Sequence, residues 1–295
     1  MGNPIFTRHS ATGSCRLGAP RQSVRGFTLV ELVMVILLLG IMATFSSQFI
    51  GIGSQIYGEA SSREQLMSDA RFAMERLNRE VRDAVPGSVR IETATGDWVD
   101  SGTCLRFWPI SATSRYLILN RAVSGSAGTL ELLMQTPASA ANPLQDDGDA
   151  VAANRDLLVV FPIPRSDGDS LTQGCVYGNC VARVNAVQAP VTGVQAVHYA
   201  ASELLDGLSP ANRVYFARQQ VRYCVEGGRL LRSSGPIDGV LSSPASLMAE
   251  WIRTGSFYRE PAAFNASGEV GIRFVFERKG ESVTFNHKIG VSNVP

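Results

Sequence analysis

Gly26-Phe27-Thr28-Leu29-Val30-Glu31 opens onto a segment, residues 32–58, that carries no charged side chain. A helix of about 20 apolar residues spans a bilayer core at 1.5 Å rise per residue, and residues 32–52 meet that length. The 26 residues before Phe27 hold Arg8, Arg16, Arg21 and Arg25 and no acid. This asymmetry keeps the leader on the cytoplasmic side and exports the remainder. A secretory signal would offer an Ala-x-Ala-like site after its apolar run. Here Ser46, Ser47, Gly51, Gly53 and Ser54 supply only poor versions of it, and the better cleavage point, Gly26, precedes the run. Cutting there leaves the span on the mature chain.

Glu31 is the exception in this stretch. A carboxylate at the bilayer centre costs about 2.5–3.5 kcal/mol on insertion scales. One reading places it at the interface, reaching the headgroups. The other pairs it with a cation, and cleavage after Gly26 creates one, the α-amino group of Phe27. Glu31 lies close to its own N-terminus in sequence, so the amine of a neighbouring subunit is the better partner.

The chain has 295 residues, 45% hydrophobic and 18% charged, which suits one large folded domain or two modest ones. The net charge of +1 conceals the basic leader; without its four arginines, 23 basic residues face 26 acidic ones. A mildly acidic body argues against general nucleic-acid binding. Cys15 belongs to the leader, while Cys104, Cys175, Cys180 and Cys224 belong to the body. Four cysteines in an exported body suit two disulfides, with buried free thiols as the alternative.

Gly26, Phe27, the small polar Thr28, two aliphatics and Glu31, followed by Leu32-Val33-Met34-Val35-Ile36 and Gly40, resemble the processing signal of the type IV pilin and type II secretion pseudopilin superfamily. The resemblance covers some 30 residues. It implies cleavage after Gly26 by an inner-membrane prepilin peptidase, which also methylates the Phe27 amine. It implies that Glu31 and the apolar helix, Gly40 included, serve subunit assembly. Many major pilins carry a proline where this chain has Gln48; Gly51 and Gly53 are the residues here that would lend the helix pliancy.

Beyond the span, Leu66, Ala70, Ala73, Leu77, Val81 and Ala84 recur at three- and four-residue steps and predict one apolar stripe. Arg63, Glu64, Asp69, Glu75, Arg79 and Glu80 are expected in solvent, and Pro86-Gly87 ends the helix. A helix over 27–84 would be about 87 Å long; a break near Gly51-Ile52-Gly53 is the alternative. Strand-like runs follow at 105–110, 116–119, 130–134, 157–163 and 194–199. Residues 220–225 and 229–232 around Glu226-Gly227-Gly228 predict a hairpin, as do 271–277 and 282–291 around residues 278–281. Residues 246–252 read as a short helix, and 124–128 and 138–154 as exposed loops. The expected class is α+β: a long N-terminal helix on a mainly antiparallel β head. The expected organisation is a cleaved leader (1–26), a pilin-like helix (27–84) and a periplasmic head (85–295).

Residues 70–82, the run Val221-Arg222-Tyr223-Cys224-Val225 and Gly228-Arg229-Leu230-Leu231-Arg232 are similar to minor pilins and to the J-type minor pseudopilin of type II secretion. The ending, Phe285-Asn286-His287 through residues 291–295, is most similar to minor pilins of mannose-sensitive haemagglutinin (MSHA) pilus biogenesis. The implied setting is the inner membrane of a Gram-negative bacterium, then the pilus. The implied partners are prepilin peptidase, other major and minor pilins and an inner-membrane assembly platform. A J-type pseudopilin, and a tip adhesin or DNA-binding minor pilin, are the rival readings.

Other constellations are weaker. A Cys175–Cys180 bridge would pin a loop and leave Cys104 with Cys224, one of three connectivities; zinc is the rival, although C-x4-C is not a strong metal spacing. Asp147, Asp149, Asp167 and Asp169 form acidic, glycine-bent turns that suit Ca²⁺ oxygens but lack the full EF-hand pattern, so solvated turns are the simpler reading. Arg213, Arg218, Arg222, Arg229 and Arg232 are the candidates for a DNA-binding surface. No nucleophile elbow, P-loop or H-E-x-x-H occurs, and His198 and His287 lie in strand-like runs, so neither an enzyme nor a cofactor is expected.

Overall fold

The computed structural model describes residues 26–123, 126–133, 145–146, 149–166, 168–191, 193–200, 205–259 and 269–290. The fold is α+β, with one long helix and a largely antiparallel head. Two compact units divide between Tyr57 and Gly58. Helix α1 (Leu29–Arg82) runs without a break at Gly51-Ile52-Gly53. In the first unit its residues are exposed on every side. In the second, Leu66, Ala70, Ala73, Met74, Leu77 and Val81 are buried, and Ala84 beyond the helix end is buried with them. Six of these seven, all but Met74, are the stripe predicted from the 3.6-residue pattern, and all seven lie in one core.

The head begins with β1 (Arg90–Glu92), β2 (Ser101–Gly102), β3 (Cys104–Phe107), β4 (Ala112–Asn120) and β5 (Gly128–Leu133). There follow β6 (Gln145–Asp146), β7 (Asp149–Ala150), β8 (Leu157–Val160), β9 (Val181–Val187), β10 (Val194–Tyr199) and β11 (Arg213–Ala217). The last six are β12 (Gln219–Glu226), β13 (Arg229–Pro236), β14 (Ser246–Ala249), β15 (Ile252–Arg259), β16 (Glu269–Arg278) and β17 (Glu281–Gly290). A five-stranded sheet has the order β1-β3-β12-β13-β14, and a four-stranded one the order β17-β16-β15-β2. Leu105, Phe107, Val221 and Tyr223 of the first sheet and Phe257, Ile272, Phe274 and Phe276 of the second join the buried stripe of α1 in one core. A sheet needs a hydrophobic layer on its inner face, and here the helix provides it.

Strands β10-β5-β4-β11-β8-β9 close into a six-stranded barrel. Its core includes Leu130, Leu132, Val160, Val197, Tyr199 and Phe216. Closure leaves no free strand edge. Gly128, assigned to a loop from sequence, instead starts β5 beneath the Tyr199 ring, where an added Cβ would lie 2.0 Å from Cζ. Only glycine fits there.

The hairpin of β12 and β13 pairs Glu226 with Arg229 across Gly227-Gly228, whose φ values of +55° and +76° suit a two-residue primed turn. The hairpin of β16 and β17 closes at Lys279-Gly280, with Arg278 opposite Glu281. Residues 246–252 are not the short helix their composition predicts. Ser246–Ala249 is strand β14, paired to β13 with Leu231 opposite Leu247, and β15 starts at Ile252. The ladder to β13 satisfies backbone groups that a one-turn helix would leave free, so tertiary pairing overrides the propensity of Leu-Met-Ala. Within the expected loop 138–154, β6 and β7 pair with each other; residues 138–144, 147 and 148 lie outside the described residues.

Glu80 is not in open solvent either. It takes Arg76 Nε on one oxygen at 3.0 Å and Arg232 Nε on the other at 3.0 Å, which ties α1 to β13. Tyr223 is buried beside it. Burial, followed by the Glu80 carboxylate, pushes the Tyr223 phenol well above its ordinary value, while Arg232 pulls the other way. Burial also raises Tyr116 and Tyr199. Tyrosine in the unfolded chain titrates near about pH 10. The unfolded state therefore loses its phenolic protons first, so stability is complete below that pH and falls as pH rises through the folded values. Thermal midpoints followed from about pH 9 to about pH 11 should fall, and Tyr223→Phe should show a shallower fall than the parent chain. An unchanged slope in that variant would contradict the assignment.

Candidate processing and assembly site

Phe27 and Thr28 precede α1, and both are exposed. The Glu31 N–H donates to Thr28 Oγ1 at 3.3 Å, and the Leu32 N–H donates to the Thr28 carbonyl at 3.2 Å. Thr28 is therefore the N-cap, satisfying a backbone donor that the first turn leaves without an intrahelical partner. Glu31 stands at the third helical position, where its charge also complements the positive end of the helix. The reading of Thr28 as merely small and polar missed this role. Its signal was the Thr-x-x-Glu spacing of a capping box.

From Phe27, 79% exposed, to Tyr57, 76% exposed, the large apolar side chains of the first unit face outward. Leu32, Ile36, Leu39, Met42 and Phe49 are among them. A water-soluble surface does not carry a continuous apolar belt of this length. The helix is long and apolar enough to cross a membrane. Gly40 lies within the belt, and an added Cβ there would meet nothing within 4 Å. Gly26, Phe27, Glu31 and Gly40 thus lie on one short, exposed stretch.

Cys104 and Cys224 are directly opposed partners of β3 and β12, joined by a disulfide with Cα atoms 4.1 Å apart. A second disulfide joins Cys175 to Cys180, with Cα atoms 5.8 Å apart. Cys104, Cys224 and Glu226 lie close enough to suggest a metal site, but the two sulfurs are bonded to each other and offer no thiolate.

Four of the five arginines considered for DNA face carboxylates of this chain. Arg222 Nε lies 3.2 Å from Glu92, Arg232 Nε 3.0 Å from Glu80, Arg218 Nε 3.2 Å from Asp156 and Arg229 Nε 3.5 Å from Glu250. Arg213 starts β11. Glu92, 1% exposed, also accepts from Arg106 Nε at 2.7 Å. Asp156 is fully buried and pairs with Arg155 as well. Sequence reasoning missed both buried acids, because Arg222 is 130 residues from Glu92 and Arg218, between β11 and β12, is remote in the chain from Asp156, just before β8.

Of the calcium candidates, Asp147 and Asp167 lie outside the described residues. Asp149 falls in β7, and the Asp169 N–H closes a turn onto the Ser166 carbonyl at 3.1 Å. His198 Nδ1 lies 2.9 Å from Thr129 Oγ1 across β10 and β5, while His287 sits in β17 opposite Ile272.

Residues 21–47 match the family profile of the prokaryotic N-terminal methylation motif. The matched span takes in Gly26, Phe27, Thr28, Glu31 and Gly40 and the exposed belt as far as residue 47. It supports a type IV pilin-like protein processed by prepilin peptidase. No curated protein and no solved structure matches the chain.

Proposed function

We propose that this protein is a minor pilin of an MSHA-type type IV pilus, acting in pilus initiation or at the tip. The observation that carries the reading is the methylation motif running directly into an uncharged helix whose side chains are exposed all round. In this reading residues 1–26 are the leader, 27–84 the pilin helix with its span at about 32–52, and 85–295 the periplasmic head. Prepilin peptidase cuts after Gly26 and methylates the Phe27 amine. Thr28 then caps the mature helix one residue from its end, leaving the Glu31 carboxylate available to the amine of an adjacent subunit. Apolar helices associate through the belt, and head-to-tail contacts that do not close on themselves extend as a filament. The similarity of 70–82, 221–232 and the C-terminal run to minor pilins supports the low-copy role, as does a head with two sheets and a barrel.

N-terminal mass analysis of filament-associated protein should find methyl-Phe27 as the first residue. Gly26→Val should leave the leader attached and keep the protein out of filaments. A mature filament subunit that retains residues 1–26 would sink the processing scheme. Deleting the gene separates the two settings: loss of surface pili supports the pilus role. Intact pili with failed enzyme export would instead point to a J-type pseudopilin.

A further inference from the structure

Strands β1, β3 and β12 bring Arg90, Arg106 and Arg222 side by side: Arg90 opposes Arg106, and Arg106 opposes Arg222. Alternate residues of these strands, Ile91, Leu105, Phe107 and Tyr223, enter the core against α1. The arginine row therefore occupies the opposite face of the sheet. Glu92 is the acid that meets this row, taking Arg106 and Arg222. Among the described residues, three guanidiniums beside one carboxylate leave an excess of positive charge, with Glu92 pairing Arg106 and Arg222 but not Arg90. Its Nε is buried and has no hydrogen-bond partner among the described residues. A buried donor without a partner is costly, and native proteins rarely leave one.

Arg90 borders a cavity of about 180 Å³ together with Arg106, Ser88, Ser170, Gln220 and Trp108. No acidic side chain lines it among the described residues. Most of the other polar groups are already engaged. Gln220 accepts from Arg106 Nη1 at 2.6 Å and donates to the Pro236 and Gly239 carbonyls. Ser88 Oγ donates to the Val85 carbonyl at 2.6 Å and accepts the Trp108 N–H at 3.1 Å. These bonds fix the walls, while Leu171 and Ile237 add an apolar side. The volume equals roughly six waters at about 30 Å³ each, enough for one small anion with part of its hydration.

We infer that this cavity is a binding site for a small oxyanion, with the Arg90 guanidinium as its principal donor and Arg106 as supporting charge. A guanidinium presents planar, paired donors that match the oxygens of sulfate, phosphate or carboxylate. Filling the cavity with such a group would satisfy the Arg90 Nε and offset the charge excess in one step. Nothing in this argument depends on the pilin reading; it concerns the head alone.

The test is calorimetric titration of the full chain in detergent with sodium sulfate, sodium phosphate and sodium acetate, each against sodium chloride at matched ionic strength. Saturable one-site binding of at least one oxyanion, absent with chloride, is the expected result. Sulfate or phosphate binding without acetate binding assigns a tetrahedral oxyanion, whereas acetate binding assigns the carboxylate of an organic acid. Arg90→Met should weaken binding at least tenfold, and Arg90→Lys, which keeps charge but loses the fork, should weaken it less. Arg229→Gln, at an exposed pair away from the cavity, should bind as the parent does. Absence of saturable binding to all three salts, or undiminished binding by both Arg90 variants, overturns the inference.

Discussion

Glu92→Leu is expected to destabilise the head by about 3–5 kcal/mol, the range seen when one partner is removed from a buried ion pair. The carboxylate is 1% exposed and each of its oxygens faces a different guanidinium, Arg106 at 2.7 Å and Arg222 at 3.2 Å. Removing it leaves both cations, with Arg90 beside them, facing a leucine. Most of the loss comes from that stranded charge and not from the intrinsic worth of the pairs. Replacing the whole group, as Glu92→Leu with Arg106→Met and Arg222→Met, should therefore recover much of the stability lost by the single change. Denaturant midpoints of the three chains measure this directly. A single variant as stable as the parent, or a triple variant no better than the single, would refute the charge-compensation account.

The two disulfides should contribute unequally. In the chain-entropy picture, a bridge stabilises by restricting the unfolded chain, and more so for a longer loop. Cys104 and Cys224 are 120 residues apart, while Cys175 and Cys180 are 5 apart. The same relation gives about 5 kcal/mol for the first and about 2 kcal/mol for the second. Cys104→Ala with Cys224→Ala should therefore lower the unfolding midpoint far more than Cys175→Ala with Cys180→Ala. Equal losses, or a larger loss from the short bridge, would mean that the unfolded chain is not what the long bridge chiefly restrains.

What was legible in the sequence was local. The stripe from Leu66 to Ala84 repeats at the helical period, and Gly227-Gly228 and Lys279-Gly280 carry turn chemistry on their own residues. The processing motif is a contiguous string. What was not legible required partners remote in the chain. Barrel closure depends on β10 meeting both β5 and β9, a pairing that no single run encodes. Residues 246–252 carry helix-favouring composition and are overruled by β13. Arg218, Arg222 and Arg232 were read as a surface for DNA because the acids that hold them, Asp156, Glu92 and Glu80, are remote from them in the chain. A basic residue in sequence reveals its charge, and only the fold reveals whether that charge is already spoken for.

The barrel has a consequence for how the head is put together. Its six strands all fall between residues 112 and 217. The chain leaves β3 at Phe107 and returns along β12, where Val221 is the direct partner of Phe107. Departure and return are thus neighbours in one sheet, as in a hairpin whose turn has swollen into a module. The barrel is a cassette held by the sheet, and Cys104–Cys224 clasps the two host strands at the end of their ladder away from its mouth. Residues can be gained or lost inside the cassette without shifting the register of the host strands, so the head can vary its outer module while the layer that packs on α1 stays as it is.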